Sequence, residues 1–137
     1  MAEVLSPLVS DRIWAMPVSG AVVKFLTYLV FRSEFGGNLP IRQKDMAKEY
    51  KITPQAVSLL MAPLCDLNIV LRPSSDGRGG NSYRLHPFAA KYETPEDMEA
   101  AFRHTVQAIK AGDFPNLRLP AYVSAPPAEG RPNLQIA

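Results

Sequence analysis

The chain has 137 residues, of which 47% are apolar and 20% are charged, and its net charge is +2. This composition supplies the core of one compact domain and excludes a wholly disordered chain. The single cysteine, Cys65, excludes an internal disulfide and a cysteine-rich metal site. Because no apolar run is long enough to span a bilayer and the N-terminus lacks a secretory pattern, we expect a cytoplasmic protein with no membrane partner.

Positive charge is concentrated in the middle of the chain. Between Pro40 and Lys91 eight basic residues stand against four acidic ones, whereas the rest of the chain holds seven basic and nine acidic residues. The basic residues of this central segment are Arg42, Lys44, Lys48, Lys51, Arg72, Arg78, Arg84 and Lys91. A local excess of this kind indicates a surface that binds a polyanion.

The first predicted elements are a lead-in and a long helix. Residues 1–18 form a mixed lead-in in which the apolar Trp14 is expected to pack on the domain. A helix then follows Ser19, whose hydroxyl caps the first turn. Its apolar side chains recur at the three- and four-residue steps of a buried face: Val22, Phe25, Leu26, Leu29 and Val30. The glycines of residues 36–38 end this helix, and residues 39–41 are predicted as a short strand.

Two shorter helices come next. The first covers Gln43–Tyr50, and the second begins at Thr53-Pro54, a threonine cap followed by a proline at the first helical position. The second helix buries side chains at helical spacing, namely Val57, Leu60, Met61, Leu64 and Leu67. Lys51 stands in the turn between the helices, where a glycine is common. Because a positive φ is uncommon for a non-glycine residue, we expect this turn to be either strained or slightly altered in geometry. Pro63 predicts a bend within the second helix.

The remaining elements are two strands, a helix and a tail. Strands are predicted at 69–72 and 82–86, and a glycine-rich loop with Arg78 near its centre joins them. A further amphipathic helix runs from Thr94-Pro95 to about residue 111. Such a helix buries its apolar face on its own domain or on a twofold-related copy, and we expect a homodimer. Residues 113–137 hold five prolines and predict an extended or disordered tail.

The order of these elements is helix, short strand, helix, turn, helix, strand, loop and strand. We therefore predict a mainly α (α+β) fold in which residues 19–91 form a winged helix-turn-helix with a small β-wing. Residues 92–112 add a C-terminal helix as the dimer element. In such a domain the second helix of the helix-turn-helix enters the major groove of DNA.

Two resemblances agree with this fold. The segment Met46–Leu60 resembles the helix-turn-helix of MarR-like regulators, and this similarity extends over residues 19–87. The segment Tyr83–Pro87 also resembles a strand of RepL-type plasmid replication initiators, with His86 at the position of an asparagine in that pattern. Both resemblances imply a winged helix that binds double-stranded DNA.

The helix that begins at Pro54 supplies the expected base contacts. Gln55 has an amide that can pair with adenine, and Ala56 or Leu59 can contact a thymine methyl group. Thr53 and Ser58 are expected to bind phosphate oxygens. These side chains share the outer face of the helix, opposite the buried one.

The basic residues supply the expected phosphate contacts. Those flanking the groove are Arg42, Lys44, Lys48 and Lys51. Arg78, at the tip of the wing, is expected to enter the minor groove, where narrow A·T tracts attract arginine. Arg72 and Arg84, on the two wing strands, complete the predicted DNA-binding set.

We expect a sequence-specific, nucleoid-associated DNA-binding protein that regulates transcription by occlusion. One alternative is replication initiation or maintenance for a plasmid or phage-like element. A second alternative is a winged-helix protein-interaction module, to which the apolar Leu59 would contribute. No enzyme activity, metal or cofactor is expected, because the two histidines, His86 and His104, have no ligand partners near them in the sequence and no phosphate-binding loop or nucleophile motif is present.

Overall fold

The part of the chain that the computed structural model describes, residues 3–72 and 83–119, contains five α-helices and two small antiparallel sheets. The helices are α1 (Pro7–Arg12), α2 (Gly20–Arg32), α3 (Gln43–Tyr50), α4 (Pro54–Asp66) and α5 (Pro95–Lys110). The strands are β1 (Val4–Leu5), β2 (Val70–Leu71), β3 (Arg84–Leu85) and β4 (Lys91–Tyr92). Short 3-10 turns cover Ile13–Ala15 and Pro87–Ala89. The prediction of a mainly helical α+β fold is confirmed.

Helix α2 lies at the centre of the core, as the sequence predicts. Its first turn is capped by Ser19, whose Oγ accepts a hydrogen bond from the N–H of Val22 at 3.3 Å. One face of the helix is completely buried and consists of Phe25, Leu26, Leu29 and Val30. Full burial of each such side chain contributes about 1.5–3 kcal/mol to folding.

A left-handed residue joins α3 to α4. Lys51 ends α3 with φ 63° and ψ 47°, so of the two expected outcomes the structure shows the strained turn, with a positive φ at a lysine. The next N–H, from Ile52, donates to the carbonyl of Ala47 at 3.0 Å. Thr53 then caps α4, because its Oγ1 accepts from the N–H of Ala56 at 3.1 Å. Together these bonds fix the angle at which α4 leaves α3.

Helix α4 continues through Pro63 without ending there. The proline has no N–H, so it cannot donate to the carbonyl of Leu59 as another residue would. The helix ends at Asp66, and Asn68 adopts a φ of 63° two residues later. A left-handed residue at this position agrees with the tolerance of asparagine for that conformation.

Strand β3 lies between β2 and residues 37–39. It pairs antiparallel with β2 on one side, and on the other side Asn38 forms an isolated bridge with Arg84. The strand predicted over residues 39–41 is therefore misplaced, because the pairing is centred on Asn38 instead.

Gly37 permits the close approach between this segment and β3. The N–H of Leu85 donates to the carbonyl of Gly37 at 2.7 Å. The φ of Gly37 is 108°, and a Cβ built there would lie 2.6 Å from the carbonyl oxygen of Leu85. Only glycine fits both the backbone conformation and the available space.

A second sheet joins the N-terminus to β4. Val4 of β1 lies opposite Tyr92, a pairing that the sequence did not predict. Beside it, Lys91 is buried, and its Nζ donates to Glu3 Oε2 at 3.1 Å and to the carbonyl of Phe31 at 3.2 Å. The cation lies at the C-terminal end of α2, where the helix dipole favours positive charge. Lys91 therefore belongs to the core and not to the exposed basic surface.

The lead-in packs on the domain through α1 and not through its tryptophan. Leu8 and Val9 are buried, whereas the side chain of Trp14 is 80% exposed and its Nε1 donates to the carbonyl of Asp11 at 2.7 Å. The expectation that Trp14 packs on the domain is wrong, because the apolar face of α1 already occupies that surface.

Helix α5 packs on its own chain. The ring of Phe102 meets those of Phe88 and Tyr92 edge-on, at centroid distances of 5.0 and 6.2 Å. Edge-to-face aromatic pairs of this kind add to the energy of burial. Of the two ways in which the sequence allowed this helix to bury its apolar face, the structure shows packing on the same domain.

The residues that follow α5 also belong to the core. Leu117 and Leu119 are buried, and the N–H of Arg118 donates to the carbonyl of Leu67 at 2.9 Å. Asn68 Nδ2 donates to the carbonyl of Asn116 at 2.9 Å. Residues 113–119 are thus docked on the domain, in contrast to the extended or disordered tail that the proline content predicts. Residues 120–137 of that predicted tail lie outside the described residues.

His86 holds this docked segment. The ring is completely buried, its Nδ1 accepts from the N–H of Phe88 at 3.1 Å, and its Nε2 lies 2.8 Å from the carbonyl of Pro115. Because Nδ1 is an acceptor here, Nε2 carries the proton and donates it to Pro115. Burial lowers the pKa of His86, so the neutral imidazole is favoured.

Candidate nucleic-acid interface

Helix α4 has one face in the core and one in solvent. Its buried side chains are Val57, Met61 and Leu64. On the opposite side Gln55, Ser58 and Leu59 are exposed and Ala62 is half-buried. Because residues three and four apart are neighbours on a helix, these four side chains form one continuous stripe, here called the outer stripe of α4.

Gln43 connects three elements behind the outer stripe. Its Nε2 donates to the carbonyl of Pro54 at 3.2 Å and also to Ser58 Oγ. Its Oε1 accepts a hydrogen bond from the hydroxyl of Tyr83 at 3.0 Å. The single amide therefore ties the start of α3 to α4 and to the residue before β3. The sequence did not predict this role for Gln43, because its partners lie 11, 15 and 40 residues away.

Both hydroxyls predicted to bind phosphate already accept hydrogen bonds. Thr53 Oγ1 accepts from the N–H of Ala56, and Ser58 Oγ accepts from Gln43. A hydroxyl that accepts one bond still has a proton to donate. The structure therefore leaves Thr53 and Ser58 as possible donors to a ligand, and it adds a structural role to each. Ala56, which the sequence placed on the reading face, is half-buried beside the cap.

Four exposed cations surround the start of α4. They are Arg42, Lys44, Lys48 and Lys51. Arg42 precedes α3, Lys44 and Lys48 lie one turn apart on that helix, and Lys51 forms the left-handed turn into α4. Among pairs of residues that the structure describes, none of these four cations forms an ion pair. Their positive charge is thus directed to solvent, as the sequence predicts.

The acidic residue at the end of α3 is neutralised from behind. Glu49 Oε1 accepts from Tyr28 Oη at 2.5 Å and from Arg32 Nε at 2.7 Å. These two bonds, with that from Tyr28 the larger cause, lower the pKa of Glu49. Burial and the adjacent carboxylate raise the pKa of Tyr28 to about 12. The triad fixes α3 on α2 and reduces the negative charge that would face a polyanion.

The β2–β3 sheet carries two further exposed cations. Arg84 is exposed on β3 opposite Leu71, and Arg72 is exposed directly after β2. Arg84 follows Tyr83, which Gln43 ties to α4, so this sheet is held beside the helix. Arg78 and the predicted wing loop lie outside the described residues.

The N-terminus of α4 adds partial positive charge to the same surface. The first turn of the helix contains no acidic residue, so nothing within that turn offsets the helix dipole. The described residues hold no cluster of three or more metal-ligating side chains. Cys65 on α4 is half-buried, and burial raises the pKa of its thiol, which disfavours the reactive thiolate. The arrangement is suited to hydrogen bonding and charge neutralisation.

No protein-family model matches the chain, and neither a curated protein nor a solved structure is significantly similar to it. None of the helices in the described part has the length and apolar character that crossing a membrane demands. The chemistry of the surface described above is therefore the basis on which a function is assigned.

Proposed function

We propose that the chain binds double-stranded DNA in a sequence-specific manner and regulates transcription by occluding its binding site. The observation that carries this proposal is the outer stripe of α4, where Gln55, Ser58 and Leu59 are exposed. The exposed cations of the preceding helix α3 and its turn form no ion pair with any acidic residue that the structure describes. A helix fits the major groove, which is about 12 Å wide, and base edges there are met by side chains of its first turns.

The order and pairing of the elements support a winged helix-turn-helix over residues 19–91. Helices α2, α3 and α4 are followed by β2 and β3, and β3 lies between β2 and the segment around Asn38. In this arrangement α4 is the recognition helix. The β2–β3 sheet is the base of the wing, which brings Arg72 and Arg84 to the flanking phosphates.

One copy of the chain presents one recognition helix and therefore contacts one half-site. Helix α5 uses Phe102 to pack on its own domain, so a homodimer through α5 has only the outward face of that helix, where Val106 is 39% exposed. Selection of bound sequences from a random duplex pool distinguishes a monomer from a homodimer, because a monomer enriches one half-site and a dimer enriches two.

A salt titration tests DNA binding itself. Fluorescence anisotropy of labelled duplexes is expected to show binding that weakens steeply with salt, because cations on the protein displace condensed counterions. Lys48→Gln should weaken binding to all sequences alike and reduce the slope of log affinity against log salt by about 1. Lys110→Gln is the matched control, because Lys110 is exposed in the last turn of α5, and it should leave both quantities unchanged.

A protein-interaction module is the second candidate, and the exposure of Leu59 favours it. An apolar side chain that is 74% exposed is suited to a hydrophobic partner as well as to a base methyl group. This alternative predicts that no duplex is enriched by selection and that the salt titration shows no binding at physiological ionic strength. Equal effects of Lys48→Gln and Lys110→Gln would also contradict the DNA proposal.

A further inference from the structure

The orientation of the Gln43 amide is fixed at both ends. The carbonyl of Pro54, 3.2 Å from Nε2, can only accept hydrogen bonds, so the amide must present its NH2 group to that carbonyl. The amide oxygen then faces the hydroxyl of Tyr83, which donates to it at 3.0 Å. A flipped amide would place two acceptors, Oε1 and the Pro54 carbonyl, in contact.

This orientation decides how Ser58 can bond. The same Nε2 donates to Ser58 Oγ, so that oxygen is an acceptor toward the interior. A helical serine often donates its proton to the carbonyl four residues earlier, which here is that of Pro54 and is already bonded to Gln43. Ser58 is exposed, so the proton that its hydroxyl does not use in the bond with Gln43 is accessible to a ligand. The outer stripe therefore presents a hydrogen-bond donor at this position.

An apolar group lies directly beside this donor. Leu59 is the next residue and its side chain is 74% exposed. In the major groove each base pair displays its own set of groups, and thymine places an acceptor, O4, next to an apolar group, the C5-methyl. Cytosine presents an amino donor at the equivalent position, and guanine and adenine have no methyl group.

We infer that Ser58 and Leu59 together recognise one thymine of the DNA site, with Ser58 donating to O4 and Leu59 contacting the methyl group. Gln43 is the positioning residue: it occupies one lone pair of the serine oxygen, which limits the rotation of the hydroxyl and leaves its proton free to donate. This inference rests on the proposed function, and it replaces the phosphate contact that the sequence alone suggested for Ser58. Exposed cations on other elements, such as Lys48 on α3 and Arg84 on β3, would supply positive charge for phosphate contacts in this complex.

The test uses the full chain and the duplex that it enriches from a random pool. Each thymine of that duplex is replaced in turn by uracil, which keeps O4 and loses the methyl group. In a second series it is replaced by 5-methylcytosine opposite guanine, which keeps the methyl group and exchanges O4 for an amino donor. At one thymine we expect uracil to lower affinity about fourfold, as for one buried methyl group, and 5-methylcytosine to lower it about tenfold or more.

Three variants assign these effects to residues. Leu59→Ala should abolish the discrimination between thymine and uracil and retain that between thymine and 5-methylcytosine. Ser58→Ala should do the reverse. Gln43→Ala should change discrimination in the same direction as Ser58→Ala but by less, because a serine hydroxyl freed from Gln43 rotates more freely and accepts more readily from the amino group of 5-methylcytosine. If Gln43 served only to stabilise the fold, its removal would weaken binding to all three duplexes by the same factor.

The outcomes separate this inference from the proposed function. Enrichment of no duplex overturns both. Enrichment of a duplex in which no thymine is sensitive to uracil overturns the inference alone, as does a thymine whose sensitivity Leu59→Ala leaves unchanged. A circular-dichroism melting curve for each variant confirms that the compared proteins are folded at the temperature of the titration.

Discussion

Helices α4 and α5 begin in the same way. In α4 the Oγ1 atom of Thr53 accepts from the N–H of Ala56 at 3.1 Å, and in α5 that of Thr94 accepts from the N–H of Asp97 at 3.0 Å. A proline occupies the first helical position of both. The hydrogen-bonding chemistry that starts the two helices is the same, so it does not distinguish the proposed recognition helix α4 from α5.

The charges around the two caps differ. Helix α5 carries Glu96 and Asp97 in its first turn, and Glu93 precedes its cap. Carboxylates at a helix N-terminus offset the partial positive charge of the dipole. The first turn of α4 has no acidic residue, and Lys51 lies two positions before its cap. The positive end of α5 is therefore compensated within its first turn, whereas the first turn of α4 contains no compensating carboxylate.

The largest expected effect concerns His86, which directly follows β3 and whose buried ring is hydrogen-bonded within the chain. We expect His86→Ala to lower the free energy of unfolding by about 2–4 kcal/mol, because it removes two hydrogen bonds and leaves a cavity. Urea denaturation followed by circular dichroism measures this loss. The affinity of the folded variant for duplex DNA should stay unchanged. A loss of affinity while the variant is still folded would show that the His86 contacts and the proposed DNA-binding surface are not independent.

The pH dependence of stability measures the same contact. Burial lowers the pKa of His86 below its ordinary value of 6.5, so the unfolded chain takes up a proton at higher pH than the folded one. The stability that comes from the neutral ring is therefore complete above pH 6.5 and is lost as the pH falls through the lowered pKa. His86→Ala should remove this component. The exposed His104 is the control, and the His104→Ala variant should retain it.

Adding a carboxylate to the first turn of α4 tests whether the charge difference between the N-termini of α4 and α5 matters for DNA binding. Gln55→Glu gives α4 an acidic first turn like that of α5. We expect affinity for the enriched duplex to fall about tenfold or more, because a carboxylate faces the negative DNA surface. The free energy of unfolding should rise at the same time by about 0.3–1 kcal/mol, because the carboxylate offsets the helix dipole. Anisotropy titration and urea denaturation give the two values.

Glu96→Gln is the reciprocal control on α5. It should lower the free energy of unfolding by about 0.3–1 kcal/mol and leave DNA affinity unchanged. If both substitutions changed affinity equally, the two helix ends would not differ toward DNA, and the charge comparison would be wrong.

The features that the sequence predicted correctly depend on few residues. A cap such as Thr53 needs only the backbone of the following turn. The strained turn at Lys51, one of the two outcomes expected there, follows from the short connection between two helices. Exposure of the cations on α3 follows from the apolar spacing on the opposite face of the helix. Each of these inferences uses contacts within about one helical turn.

The features that it missed depend on distant partners. Lys91 is buried because Glu3, 88 residues away, supplies its counter-charge. The role of Ser58 changed because Gln43, 15 residues away, bonds to its oxygen. Residues 113–119 dock because His86 and Asn68 provide hydrogen bonds to them, which the proline content of that segment does not reveal. Such pairings are set by tertiary packing and have no local sequence pattern.

The smallest expected effect concerns the residue that leads into α4. Lys51 and Asn68 are the described non-glycine residues with positive φ, both at 63°. A lysine in this conformation is strained by about 1–2 kcal/mol, and glycine removes that strain but adds entropy to the unfolded chain. We expect Lys51→Gly to raise the free energy of unfolding by about 0.5 kcal/mol and to reduce the salt slope of DNA binding by about 1.

Asn68→Gly provides the contrast, since asparagine tolerates positive φ and its Nδ2 bonds to the carbonyl of Asn116 at 2.9 Å. This variant should lose about 1 kcal/mol of stability and keep its affinity for DNA. For Lys51→Gly we expect stability to rise and DNA affinity to fall, because the lysine charge favours DNA binding while its left-handed backbone conformation is strained. If Lys51→Gly lowered both, the turn would depend on the lysine for folding, and the assignment of its charge to DNA would lose its support.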